Sequence, residues 1–92
     1  MVLKGVFYYK KRRIKMVEAY LLVNCDAGKA GSAIKKIREM DTVKNARLVT
    51  GLHDIVALVQ AKDLTDLAKT VVDKIQKVEG VSRTVTMVAV DL

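Results

Sequence analysis

Apolar and polar positions change period several times along the chain, and each change marks an element. Residues 17–24 are a run of β-branched and other apolar residues, which predicts a strand. The stretch Asp26-Ala27-Gly28-Lys29-Ala30-Gly31 then supplies a loop and a helix start. Ala30, Ala33, Ile34, Ile37 and Met40 follow at the three- and four-residue steps that build one apolar helix face. Residues 43–50 predict a second strand, closed by Gly51, and residues 55–61 a third with hardly a polar side chain. Leu64, Leu67, Ala68, Val71, Val72, Ile75 and Val78 draw a second helical stripe. Asp63 suits its N-cap, and Asp66 sits in the first turn, where the helix dipole favours an acid. Gly80 breaks that pattern, and residues 81–90 predict the last strand.

The two halves are copies of one unit. Lys36-Ile37 matches Lys74-Ile75, Met40 matches Val78 and Val43 matches Val81, each pair 38 residues apart. Strand–helix–strand taken twice is βαββαβ, an α+β, ferredoxin-like plan. Right-handed crossovers put the first and third strands in the middle of a four-stranded antiparallel sheet, with both helices on one face. The third strand, Ile55-Val56-Ala57-Leu58-Val59, is apolar on both its faces, so one apolar row points away from the helices. A second copy of the same sheet is the simplest cover for that row, and the expectation is a homodimer that dimerises through the sheet.

Composition narrows the class further. Ninety-two residues make one domain, and a chain of this size buries only about 60–65% of the surface its unfolded form exposes. The sequence has no apolar run long enough to span a membrane and no signal-peptide core, so the expected location is the cytoplasm. Cys25 is the single cysteine and cannot form an internal disulfide. The formal net charge of +7 is uneven: six of the 17 basic residues lie in residues 1–15 with no acid, leaving 11 bases against ten acids in residues 16–92. The chain thus divides into a basic N-terminal arm, 1–15, and a nearly neutral domain, 16–92.

Three places carry candidate chemistry. In the turn Thr50-Gly51-Leu52-His53-Asp54, Gly51 allows a backbone conformation whose N–H groups can receive a carboxylate, and Asp54 can hold an ammonium group. A plain β-turn braced by its Asp gives the same letters. In the last strand Ser82, Thr84 and Thr86 share one face at period two, opposite Val81, Arg83, Val85 and Met87; the row can bind a polar ligand or simply be a solvated strand face. In the arm, Phe7, Tyr8 and Tyr9 stand beside five basic residues, a combination that can bind single-stranded nucleic acid or be a solvated tail. The Gly28-to-Ser32 stretch lacks phosphate-loop spacing, one His and one Cys make no ordinary metal site, and no nucleophilic triad signature is present. Neither a catalytic residue nor a metal or cofactor is expected.

These residues resemble a known family. Thr50-Gly51-Leu52-His53-Asp54-Ile55 is similar to the T-G-x-x-D signature, and Gly80-Val81-Ser82-Arg83-Thr84-Val85-Thr86 to the G-V-x-x-T-x-T ending, of the effector-binding (RAM) domain of the Lrp/AsnC (feast/famine) transcriptional regulators. The resemblance runs over residues 17–91. It implies sheet-mediated dimers assembling into rings, often octamers or decamers, with an amino acid bound between dimers. Carried over by position, Gly51, Leu52, His53 and Asp54 frame one side of the pocket and Thr84 and Thr86 the other. Asp54 then takes the ligand's ammonium, and the turn amides with a Thr hydroxyl take its carboxylate. Full-length members carry an N-terminal helix-turn-helix, for which fifteen preceding residues are too few. The expectation is a stand-alone effector domain that binds an amino acid or similar small effector and associates with full-length Lrp/AsnC regulators, without reading DNA sequence itself. The alternative is a small dimeric α/β-barrel oxygenase or isomerase, which shares βαββαβ and requires His53 to point between sheet and helices.

Overall fold

The computed structural model describes residues 16–91. The arm predicted over residues 1–15 lies outside them. In chain order the elements are β1 (Val17–Cys25), α1 (Ala30–Arg38), β2 (Val43–Leu48), β3 (Ile55–Ala61), α2 (Leu64–Lys69) with a π-helical continuation (Thr70–Ile75), and β4 (Val81–Val88). The four strands form one antiparallel sheet in the order β2-β3-β1-β4. This is the ferredoxin-like βαββαβ plan, with β1 and β3 in the middle.

Alternation along the central strands sets the two faces. Ala19, Leu21 and Val23 of β1 and Ile55, Ala57, Val59 and Ala61 of β3 are buried toward the helices, where they meet Ala33, Ile34 and Ile37 of α1 and Leu67, Val71 and Ile75 of the second helix. The internal repeat survives in the packing. Ile37 and Ile75 are both fully buried, and Met40, Val78, Val43 and Val81 all lean on the same core. The other face carries two apolar ladders, Leu58–Tyr20–Met87 and Val56–Leu22–Val85, set by the strand registers. Tyr20 and Met87 are 48% and 47% exposed, so nothing in the described residues covers this row.

Asp63 caps α2 as its position suggested, with Oδ1 accepting from the Asp66 N–H at 2.7 Å. The helix then departs from the expected regular geometry. The Gln76 N–H donates to the Val71 carbonyl at 2.9 Å, a five-residue step that widens the turn. Thr70, Val71 and Ile75 are buried in this segment while Leu64 and Val72 face solvent, so only part of the apolar stripe enters the core. β4 departs from simple alternation too. Its register with β1 slips between Asn24 and Cys25, making Ser82 an extra residue, and Val81 packs on the core rather than sharing a face with Arg83. The β2 and β4 strands end at Leu48 and Val88, each short of the expected limit.

Candidate functional site

The turn joining β2 to β3 is built on the end of β1. Gly51 sits at φ 127°, a region open to glycine, and lets the chain double back. The Val49 N–H donates to the Asp54 carbonyl, and the Asp54 N–H to the Val23 carbonyl, both at 2.9 Å. Asn24 then clamps the loop with its side chain. Its Nδ2 donates to the Leu52 carbonyl at 2.8 Å, and its Oδ1 stands 2.9 Å from Nδ1 of His53. A carbonyl oxygen only accepts, so Nδ1 is the donor in this pair. The Asn24 backbone carbonyl receives the Ser82 hydroxyl at 3.1 Å, which ties β4 to the same point.

Asp54 is partly committed to structure. Its Oδ2 accepts the Cys25 N–H at 2.8 Å, just where the slip between β1 and β4 interrupts the ladder. Burial raises the Cys25 thiol pKa above its ordinary value, and the negative charges of Asp54 and Asp26 add to the shift. Leu52 is 90% exposed and projects from the loop.

The two groups of expected ligand residues are not brought together within one chain. Thr84 and Thr86 lie opposite Val23 and Leu21, on the helix side of the sheet. Thr84 Oγ1 accepts from Gln76 Nε2 at 2.8 Å, and both threonines line a groove with Leu64, Val72 and Val88. Gly51, Leu52, His53 and Asp54 cluster beyond the strand ends, bonded to Asn24 and Cys25. His53 bonds Asn24, whose side chain leaves β1 on the face opposite Leu21 and Val23; it does not enter the space between sheet and helices that the barrel-enzyme alternative requires. Asn24 and Ser82 brace the site; sequence reasoning places Ser82 in a hydroxyl row that can bind a polar ligand and passes over Asn24. Asn24 reads as the polar end of a strand, and its partners lie 28 and 29 residues away.

A four-stranded antiparallel sheet with two helices on one face, a glycine-hinged turn and an apolar second face defines the class as a small ferredoxin-like α+β domain. The profile of the Lrp/AsnC ligand binding domain matches residues 18–91, and the chain belongs to that family. An uncharacterized HTH-type transcriptional regulator of Pyrococcus furiosus is 31% identical over 72 residues, 78% of this chain and 49% of the relative. The chain spans about half the length of the curated relatives it matches. A crystal structure from Thermus thermophilus superposes with a TM-score of 0.78 at 33% identity, covering 83% of this chain and 95% of that one. A Neisseria meningitidis transcriptional regulator solved as an L-Met complex shares the fold at a TM-score of 0.74 and 18% identity, over 82% of this chain and 50% of that one. Among the described residues, no helix is long and apolar enough to cross a membrane.

Proposed function

We propose that this chain is an amino-acid-responsive assembly module of Lrp/AsnC-type regulation rather than an enzyme. It dimerises through the open face of its sheet, and its β2–β3 turn holds a free amino acid where dimers meet in a larger ring. The observation that carries the reading is the turn itself. Gly51 stands exposed at positive φ, and among the described residues Asp54 engages Oδ2 with the Cys25 N–H and shows no bond from Oδ1. A zwitterion suits such a turn, because both of its ends gain charge-assisted bonds. In this reading Asp54 receives the ammonium, the turn amides receive the carboxylate, and Leu52 and His53 wall the side chain.

Thr84 and Thr86 complete the pocket only if they come from another protomer, since their own face lies toward the helices. The L-Met complex of the Neisseria meningitidis regulator is consistent with an amino-acid ligand. Mixed oligomers with full-length regulators would pass the ligand signal to a DNA-reading domain, by the differential affinity of the ligand for two assembly states.

Differential scanning fluorimetry across the standard amino acids tests the proposal, because a ligand that binds the folded state alone raises Tm. One or more amino acids should raise Tm, and light scattering should show that the same ligands alter particle size. A flat response to every amino acid overturns it.

A further inference from the structure

α1 and the second helix lie on the same face of the sheet without closing on one another, and a groove of about 480 Å³ lies between them. They run antiparallel. The start of α1 meets the end of the second helix, where Lys29 Nζ stands 3.9 Å from Glu79 Oε2. Met40 and Val78, half-buried against the core at equivalent positions of the two repeats, line the groove on its apolar side. Lys36 from α1 and Lys74 and Lys77 from the second helix bring three positive charges to it.

The core holds these lysines in place. Lys36 and Lys74 each precede a fully buried isoleucine, Ile37 and Ile75, so the repeat turns the same step of both helices toward the groove. Lys77 follows three residues after Lys74, and its N–H donates to the Lys74 carbonyl at 3.3 Å, which keeps the two as neighbours. Among the described residues, the one ion pair at the groove takes Glu79 to Lys29 and leaves Lys36, Lys74 and Lys77 without a paired carboxylate. Three like charges around one cleft repel each other and draw anions to it. Because the helices are antiparallel, Glu79 stands at one end and Glu39 toward the other, with the lysines between. A long polyanion threading the groove would meet an acid at each end. A compact anion of several charges meets the lysines alone.

Phosphate oxygens suit such ammonium groups, which attract them as point charges without demanding one geometry. We propose that the groove between α1 and the second helix binds the oligophosphate group of a small anion, with Lys36, Lys74 and Lys77 as its cations and Met40 and Val78 beneath it. The site is separate from the β2–β3 turn and from the open face of the sheet.

Methyl-¹³C methionine NMR on the full chain tests this, because among the described residues Met40 is the one methionine that lines the groove. Inorganic tripolyphosphate should shift the Met40 methyl saturably and leave Met87, on the open face, in place. Lys36→Gln combined with Lys74→Gln should weaken this binding by about tenfold, the loss of two charge-assisted contacts. Lys44→Gln combined with Lys62→Gln removes as much charge from outside the groove and should leave the binding unchanged. ATP distinguishes the sources: tighter binding than tripolyphosphate assigns a nucleotide, and equal binding assigns a free oligophosphate. A Met40 methyl that stays in place, or that titrates equally in the Lys36→Gln/Lys74→Gln chain, overturns the proposal.

Discussion

Asp54 holds the Cys25 N–H and, in the proposed function, an ammonium group, and substitutions separate the two. Asp54→Ala leaves the half-buried Cys25 N–H without its acceptor, which costs about 1–3 kcal/mol in urea unfolding. Asp54→Asn keeps a carbonyl oxygen for that bond and removes the charge. It should unfold close to the parent while losing the Tm shift given by the cognate amino acid. If the Asn variant keeps the full shift, the ammonium has another partner. The same variant should make Cys25 alkylate faster at neutral pH, because one of the negative charges that raise its thiol pKa is gone. The thiol pKa is higher folded than unfolded, so its contribution to stability is complete below the ordinary thiol range and fades as pH rises through the folded value. Gly80 offers a second residue-scale test. It sits at φ 95°, and an added Cβ would lie 2.5 Å from Lys29 Cβ, in the joint where the Asp26 N–H meets the Gly80 carbonyl. Gly80→Ala should cost about 1–3 kcal/mol of unfolding free energy from backbone strain alone. Gly51 and Asp54 can be picked out from their letters. Asn24 cannot, since an Asn closing a strand has no local mark of the loop it will hold.

At the scale of elements, strand and helix order is legible because each buried residue recurs at the period of its element. Asp63 is legible as a cap for the same local reason, and Asp63→Ala should cost about 1 kcal/mol in denaturant unfolding. The π-helical segment is not legible. Leu67, Val71 and Ile75 keep an ordinary helical spacing, and neither Gly nor Pro interrupts residues 64–75 to announce a wider turn. The slip at Ser82 is hidden similarly: its letters continue the alternation, and only the pairing with Asn24 and Cys25 reveals the extra residue. That slip is why Val81 turns to the core. The threonine row is legible as a face, but its side of the sheet is not, and Thr84 meets Gln76 at the end of the second helix rather than the turn.

At the scale of the whole molecule, the apolar row that β3 presents on both sides already requires a cover, and the registers supply its extent: six residues in two ladders across three strands. Leu58→Arg at one end of a ladder should yield a folded monomer by sedimentation velocity, with unchanged far-UV circular dichroism, because a charge there is solvated in the protomer and would be buried in the proposed dimer. A Leu58→Arg chain that still sediments as the parent assembly would move the interface elsewhere.

Both margins of the sheet are irregular. Edge strand β2 slips register between Val43 and Asn45, and Arg38 covers its Ala46 carbonyl with two N–H donors at 2.9 and 2.7 Å. The opposite edge, β4, is bent by its own extra residue at Ser82. A kinked margin is a poor template for an incoming strand, so this βαββαβ unit resists stacking into fibrils even though its flat side is sticky. Irregular edges of this kind disfavour strand-by-strand growth and leave the apolar face as the surface on which the proposed pairing would take place.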